Sequence, residues 1–582
     1  MISAGKMHRF PIYTAIFVTI AVSPSLMDPI NLPKLWLLTL GSGLTFTLFF
    51  NQIWHSRLEN NKKIFFLSGT FAITLLLTAI ASNQNTYKTV IGTWGRNNGA
   101  LTYFSLLVLF LTLATMKSLD PSRFLVNSLS VLGVIAGLYG LMQNSGADFI
   151  TWENAGNKII LTLGNSDFAS AFLALTGVAT LSLILRVKLS RFSRLGFLIS
   201  YLVQIYLIKK SDAIQGLIVL LLGSAILIGL HLTLNSQKIF KQLAAAWWGL
   251  LAFAGGISIL GLNGHGPLSG FLNPNLNSFK DRYYHWVAGI KMLQNHLFFG
   301  VGIDSFGDYY RKYRVIEAIT LRGNASSGTN NAHNTIVQIG ATGGLVLLIP
   351  YLLLICFTAY RGFIALKNSK DKLLTSGVFS IWGAFHVQSL VSIDQIGLVV
   401  WGWASAGCLI AISYYEENNQ LPKSPKEINK KRNPQSETLF SKWTTVVAGI
   451  SILPTVLLSP MIFGEYAFRN KIVALVNSNT DDSLMLNSSE LFSDAIHIKN
   501  PELRLYALQY LLQTKNKDLS LKLAKSTVSE FPNSFEAWDA LARIYETDGD
   551  RENAVSARKR SIFLDPLNED LKKLLTNDLA SN

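Results

Sequence analysis

Charge and cysteine are both scarce in this chain of 582 residues. Only 15% of the residues are charged and 49% are hydrophobic, whereas a soluble globular protein carries roughly 25% charged residues. This deficit excludes an ordinary soluble enzyme. The two cysteines, Cys356 and Cys408, lie inside apolar runs. They therefore predict buried thiols and provide neither a disulfide framework nor a zinc site.

The motifs of nucleotide and metal chemistry are missing as well. The sequence has no P-loop, Rossmann glycine fingerprint, HExxH or GxSxG motif in a plausible context. Gly300 and Gly302 in LFFGVGIDSFGDYY lack a third glycine and follow no βαβ unit, so they predict a turn. The histidines are not paired with Asp or Glu at metal-ligand spacing. We therefore expect no metal, no cofactor and no nucleic-acid partner.

Long apolar stretches, in contrast, recur from the N-terminus onward. Each has about 17–23 residues and is long enough to cross a hydrocarbon layer of about 30 Å. The first lacks a convincing small-residue cleavage site, so we expect a signal-anchor. About thirteen spans are predicted, at 10–26, 32–51, 64–81, 99–116, 124–143, 165–185, 192–208, 213–230, 243–262, 336–360, 374–390, 396–415 and 443–463. The predicted fold class is all-α, a polytopic helical membrane protein with a helical tail.

Basic residues in the short loops indicate the orientation of the spans. Loops on the side of the N-terminus hold 23 Lys and Arg residues, against six in the short loops opposite. Because Lys and Arg accumulate in cytoplasmic loops, we predict a cytoplasmic N-terminus. An odd number of spans then places the long loop 263–335 and the C-terminal region outside the cytoplasm.

Composition divides the chain into four segments. Residues 464–582 hold 15 basic and 18 acidic residues, whereas residues 1–463 hold 36 and 17. The predicted segments are a membrane core 1–415, a polar and basic cytoplasmic linker 416–442 beside anionic lipid, a last span 443–463 and an extracytoplasmic domain 464–582.

The C-terminal domain shows a 34-residue period. Pro532 and Pro566 are 34 residues apart, and each closes a predicted pair of helices. Around the second unit, bulky and small residues follow tetratricopeptide spacing: Trp538, Leu541, Ala542, Tyr545 and Ala554. A third, degenerate pair is predicted over 466–500. Such a short solenoid binds partners or braces its own chain and is not catalytic.

The predicted outer face carries cations that the sorting rule disfavours. They are Arg96, Lys209, Lys210, Arg282, Arg311, Arg314 and Arg322. Arg presents two N–H groups to a phosphate, so these residues together favour binding of a phosphate-rich ligand. A single residue such as Arg311 is equally well explained as a solvated charge in a loop. His333 stands where the long loop enters a span, and a neutral imidazole there can accept a proton. Asn334 is alternatively a helix cap.

The loop and its flanks resemble the O-antigen ligase and O-antigen polymerase superfamily of bacterial envelope glycan enzymes. The first family block matches Arg282, Trp286, His296, Gly300, Gly302, Phe306 and Tyr310, with Leu297 in place of the usual proline. The second block matches His333, Asn334, Gly340 and Gly344. Segments 95–104, 164–175 and 389–403 also resemble family blocks. The likeness spans nearly the whole chain.

This resemblance implies a metal-independent, inverting glycosyltransferase in a bacterial cytoplasmic (inner) membrane. The donor would be a glycan on undecaprenyl pyrophosphate, and the acceptor a glycan, lipid or protein. The implied catalytic residues are His333, as the base for the acceptor hydroxyl, and Arg282. The implied substrate-binding residues are Arg96, Lys209, Lys210, Arg314, Asn165 and Asn334.

The turn 209–213 departs from the family pattern. Many relatives have a Ser-Arg-Gly-like turn there, whereas this chain has Lys209-Lys210-Ser211-Asp212-Ala213. Lysine keeps the attraction for phosphate but loses the bidentate fork of arginine.

Ligases and polymerases of this superfamily share the same scaffold, and no motif in the sequence identifies the acceptor. A protein O-oligosaccharyltransferase of the same superfamily is an alternative, with the repeat tail presenting the target. From other classes, a polysaccharide or lipid transporter and a non-catalytic envelope scaffold stay open, although the chain shows no internal repeat of the transporter kind.

Overall fold

The computed structural model describes residues 7–58, 61–82, 84–152, 159–186, 189–262, 264–267, 269, 276–420, 444–478, 480–514 and 516–580. Within these ranges the chain forms 23 helices and no strands, which confirms the predicted all-α fold. The linker predicted at 416–442 lies outside the described residues from position 421 onward. The helices are α1 Phe10–Ile20, α2 Asn31–Leu58, α3 Lys62–Ala81, α4 Thr86–Ile91, α5 Ala100–Ala114, α6 Asp120–Asn144, α7 Ser166–Ile184, α8 Arg191–Lys210, α9 Ile214–Thr233, α10 Lys238–Leu262, α11 Leu276–Asn295, α12 Phe306–Tyr313, α13 Ile316–Arg322, α14 Thr335–Asn368, α15 Lys372–Ser389, α16 Ile396–Gln420, α17 Thr444–Val476, α18 Asp481–Ala495, α19 Pro501–Gln513, α20 Lys517–Glu530, α21 Phe535–Thr547, α22 Arg551–Leu564 and α23 Glu569–Ala580.

Every predicted span coincides with a helix, but the helices differ in length and polarity. Ten described helices are long and apolar enough to cross a membrane, namely α2, α3, α6 to α10, α14, α16 and α17. Helices α1 and α5 are apolar but have only 11 and 15 residues. Helix α15 has 18 residues and includes Lys372, His386 and Gln388, which lower its hydropathy. The chain is thus a polytopic helical membrane protein.

Helices α7 and α16 form the centre of the bundle. In their most apolar windows, 83% and 94% of the residues are buried within the protein. Small residues allow this packing, because helices in a membrane approach closely where side chains are short. A Cβ on Gly216 of α9 would lie 2.7 Å from the Ser170 carbonyl oxygen, and one on Gly407 would lie 2.7 Å from that of Phe110.

Helix α14 is broken, and the loop that follows α11 enters the break. Gly344 has φ 62° and interrupts the helix. The Leu345 N–H donates to the Leu297 carbonyl at 2.8 Å, and the Val301 N–H donates to the Ala341 carbonyl at 2.9 Å. The turn at Gly300, with φ 64°, therefore holds the entry of α14 against the end of α11.

The loops segregate into two ends of the bundle, as the predicted alternation requires. At one end, which we name the N-terminal face, the ion pair Arg9–Asp120 joins the N-terminus to the start of α6, and Arg123–Asp371 joins the start of α6 to that of α15. At the other end, which we name the loop face, Asn31 meets the segments that precede α5 and α16, and segment 297–335 covers them. The C-terminal helices lie on the loop face.

The C-terminal region consists of paired helices, as the 34-residue period predicts. Helices α19 and α20 form one pair, α21 and α22 form the next, and α23 closes the stack. The boundary predicted at 463/464 falls inside α17, which continues to Val476. A single helix therefore runs from the membrane into the repeat domain, and we name residues 477–580 the tail.

Candidate active site

The turn after α4 carries Arg96 and is fixed at several points. The backbone N–H of Thr93 donates to the Asp304 Oδ2 at 2.7 Å, and its hydroxyl donates to the Asp304 carbonyl at 2.7 Å. The Asn31 amide donates to the Gly95 carbonyl at 2.6 Å. The Arg96 guanidinium itself forms no hydrogen bond or ion pair with any described residue. A rigid turn thus presents a cation that is available to an anionic ligand.

Helix α11 brings a second arginine and a small polar network to the same region. The Arg282 Nη2 lies 3.3 Å from the Asp167 Oδ2 at the start of α7. Asp281 accepts two hydrogen bonds from Arg322, each of 2.7 Å. The Arg322 Nη2 also lies 3.0 Å from the His285 Nε2. Because arginine only donates, the His285 Nε2 is the acceptor and its ring proton is assigned to Nδ1.

His333 stands next to this network, one residue before the cap of α14. Its backbone adopts φ 52°, and its N–H donates to the Asn331 Oδ1 at 2.9 Å. Its imidazole ring stacks on that of His285, with ring centroids 5.2 Å apart and planes 29° apart. Asn334 caps α14 by accepting from the Val337 N–H, and its amide donates to the Leu390 carbonyl. The backbone at the end of the loop is therefore held in place by these hydrogen bonds, and it fixes the position of the His333 ring.

Burial and nearby charges both act on the ionisation of His333. Burial, with the charges of His285, Arg282 and Arg96 acting in the same direction and Asp281 against it, lowers the pKa of His333 to about 3. Burial likewise lowers the pKa of His285 to about 4. Both rings are therefore neutral at physiological pH, and the imidazole of His333 is free to accept a proton.

The other predicted ligand residues lie apart from this group or serve as caps. Lys209 and Lys210 are exposed at the end of α8, where Lys210 lies 5.9 Å above the Tyr206 ring. Asn165 caps α7 by accepting from the Asp167 N–H at 2.7 Å. This cap matters to the site because it orients the helix end on which Asp167 meets Arg282.

Arg314 is directed toward the tail. Its guanidinium contacts both carboxylate oxygens of Asp565, at 2.6 and 2.8 Å. It also donates to the carbonyls of Ser327 and Ala325. The Arg314 and Asp565 side chains are only 1% and 0% exposed, so Arg314 forms a buried ion pair within the protein. Its geometry favours a structural role over the predicted substrate contact.

Three residues of the network were not singled out as site residues from the sequence. Asp281 and His285 are four positions apart, which on a helix puts both side chains on one face. That spacing is the signal that would have found them. Asp167 lies in the family-like block at 164–175, but only the folded chain brings it to Arg282.

A small cavity of about 20 Å³, lined in part by polar side chains, lies behind the start of α14. Asp394 accepts from the hydroxyls of Thr335 and Tyr103, at 3.0 and 3.2 Å. Asp304 lines the same cavity, and burial raises the pKa of each carboxyl to about 6. These contacts fix the helix that follows His333. Among the described residues no three His, Cys, Asp or Glu side chains are grouped as metal ligands.

Comparison with known proteins identifies two family matches along the chain. Residues 159–352, which include Asp167, Arg282 and His333, match the family described as O-antigen ligase. Residues 473–565 match the family described as ChAPs (Chs5p-Arf1p-binding proteins), which supports a tetratricopeptide-like tail. No curated protein matches the chain significantly.

Proposed function

We propose that this O-antigen ligase-like membrane protein transfers or polymerises a glycan from an undecaprenyl-pyrophosphate donor onto an acceptor hydroxyl. The observation that carries the proposal is that His333 and Arg282 lie within the matched residues 159–352 and that the charges of Arg282 and Arg96 both act on the pKa of His333. A base and a pyrophosphate-binding pair are what this transfer needs. The family supports a lipid-linked glycan donor in general, and undecaprenyl is our specific proposal.

His333 acts as the general base. The acceptor oxygen bonds to the anomeric carbon, its proton passes to the imidazole, and the bond from that carbon to the pyrophosphate oxygen breaks. The departing lipid pyrophosphate keeps the electron pair. Because one displacement replaces one bond, the configuration at the anomeric carbon inverts.

Arg282 and Arg96 hold the pyrophosphate and stabilise the charge that develops on it. Arg96 lies on a rigid turn and has no hydrogen bond or ion pair from its guanidinium to a described residue, and the Arg282 Nη2 lies 3.3 Å from the Asp167 Oδ2. Preorganised donors at a developing charge contribute roughly 2.7–4 kcal/mol each in the best-studied case. Two guanidinium groups supply this stabilisation without a divalent metal, so we propose a metal-independent reaction.

The loop face is proposed to lie outside the cytoplasm in a bacterial cytoplasmic membrane. The 23 basic residues in loops on the opposite side support this orientation. His333, Arg282 and the tail would then all face the compartment in which lipid-linked glycans are presented. A protein partner for the tail is also proposed, on the basis of its match to a family described by its binding to other proteins.

The proposal is tested with purified protein in nanodiscs, lipid-linked donor and acceptor. His333→Ala should abolish transfer, and His265→Ala, which changes an exposed histidine outside the site, should not. In cells, loss of the protein should lead to accumulation of the lipid-linked precursor and loss of the mature surface glycan. A folded His333→Ala protein with unchanged turnover would refute the role of this residue.

A further inference from the structure

A large cleft separates the membrane core from the tail on the loop face. Its volume is about 440 Å³, within the roughly 300–1,000 Å³ of a typical ligand pocket. Residues of the core line one side, and the end of α17 together with α19 line the other. Its size suits a ligand of several units.

The walls of this cleft combine aromatic rings with hydrogen-bonding groups. Trp94 and Trp152 line it from the core, and Tyr506 and Tyr510 line it from α19. All four rings are half-buried, so each presents part of its surface to the cleft. The side chain of Arg469 also lines the cleft and has no hydrogen bond or ion pair to any described residue.

The position of the cleft links it to the candidate active site. Trp94 belongs to the turn that carries Arg96, two residues further on. Gly164, another lining residue, immediately precedes the cap of α7, whose first turn holds Asp167 against Arg282. The cleft is therefore bordered by the turn that carries Arg96 and by the segment that leads into the start of α7, where Asp167 meets Arg282.

From these observations we propose that the cleft binds a glycan chain, an inference that rests on the proposed function. Sugar rings present apolar C–H faces and polar hydroxyl edges, which match aromatic rings with polar handles. We place a polar chain here and not a lipid tail, because the lining residues of α17 follow the predicted span 443–463 and the lining includes Arg469 and Asn477. The rings of α19 make the tail part of the glycan-binding surface.

The source of the glycan is either the donor or the acceptor, and two probes distinguish them. One probe is the oligosaccharide released by mild acid from the lipid-linked precursor of the deletion strain. The other is the delipidated acceptor from the same strain. Each is titrated against full-length His333→Ala protein in nanodiscs, with saturation-transfer NMR as the readout, so that binding is measured without turnover.

Substitutions in the cleft supply the decisive comparison. Tyr510→Ala and Trp152→Ala should each weaken binding of one probe at least about fivefold, the size expected when an aromatic contact is truncated. Tyr466→Ala is the matched control, because Tyr466 is 50% exposed on α17 and does not line the cleft. Thermal unfolding checks that each variant is folded.

The binding results either identify whether the glycan comes from the donor or the acceptor, or they refute the proposal. Binding of the first probe assigns the cleft to the donor glycan, and binding of the second assigns it to the acceptor. If neither probe binds, or if the cleft variants bind as the control does, the cleft is not a glycan site. Because no turnover is involved, this result is independent of whether His333 is the base.

Discussion

The contact between Arg314 and Asp565 predicts that the tail stabilises the loop that ends at His333. The two side chains are almost fully buried, and Asp565 also lies 3.6 Å from the Arg311 Nη1. Arg314 donates to the carbonyls of Ala325 and Ser327, in the segment that leads to His333. Removing one partner of a buried ion pair costs about 3–5 kcal/mol, because the other charge is left uncompensated.

Asp565→Asn should therefore increase the equilibrium constant for local opening of residues 323–334 by roughly two to three and a half orders of magnitude. Hydrogen exchange measured by mass spectrometry on the full-length protein reports this opening directly. We expect faster exchange in that segment and a lower turnover, with the membrane helices unchanged. The tail should stay attached, because Lys88 still lies 4.0 Å from Glu502 and Arg311 still pairs with Glu536 at 3.0 Å.

The control for this experiment is Glu569→Gln, four residues away. Glu569 pairs with Lys572 at 2.8 Å, but both side chains are well exposed, and such a pair contributes about 0–1 kcal/mol. It should leave exchange in 323–334 unaltered. Unchanged exchange in Asp565→Asn as well would refute the argument, since the buried pair would then not restrain the loop.

Four further predictions test the proposed chemistry and topology. His333→Ala should lower turnover by roughly 10²–10⁴ and leave donor affinity nearly unchanged, since the base acts on the acceptor proton; wild-type turnover in a folded variant would contradict this. Arg282→Ala should weaken donor binding and turnover together, and Arg282→Lys should restore only part of both, because a point charge does not reproduce the two-pronged contact of arginine. Full activity of the lysine variant would contradict a bidentate contact between Arg282 and the donor. Transfer should survive EDTA, and a loss that added Mg²⁺ or Mn²⁺ reverses would disprove metal independence. A C-terminal alkaline phosphatase fusion should be active and a fluorescent-protein fusion at residue 425 should glow, whereas an inactive phosphatase would reverse the assigned faces.

The membrane architecture was largely predictable from sequence because hydropathy is a local property. Each predicted span has a helix, and the alternation of loops agrees with the contacts Arg9–Asp120 and Asn31–Gly95 at opposite ends. Helices α1, α5 and α15 are the exceptions in length or hydropathy. Helix α15 is packed among other helices, so Gln388 is buried and need not be apolar to avoid lipid.

The site was only partly predictable because its contacts join distant parts of the chain. His333, Arg282 and Arg96 were predicted from their place on the outer face and from the family-like blocks, and the charges of both arginines act on the pKa of His333. Arg314 looked like a further ligand, but its partner Asp565 lies 251 residues away. No local pattern signals such a pairing, since a lone arginine in a loop has the same sequence signature whether it meets a substrate or a second domain.

The arginines that would bind the donor also control the proposed base. Burial and the charges of Arg282 and Arg96 hold the pKa of His333 at about 3, so its proton affinity is low. A bound pyrophosphate would add negative charge beside the ring and would raise that pKa toward the ordinary value of about 6.5. A base works best when its pKa approaches the operating pH. On the proposed mechanism, binding of the donor would make His333 a stronger base, and the acid limb of kcat should lie at higher pH than that of kcat/KM. Coinciding limbs would show that the two arginines do not act on His333 through the donor.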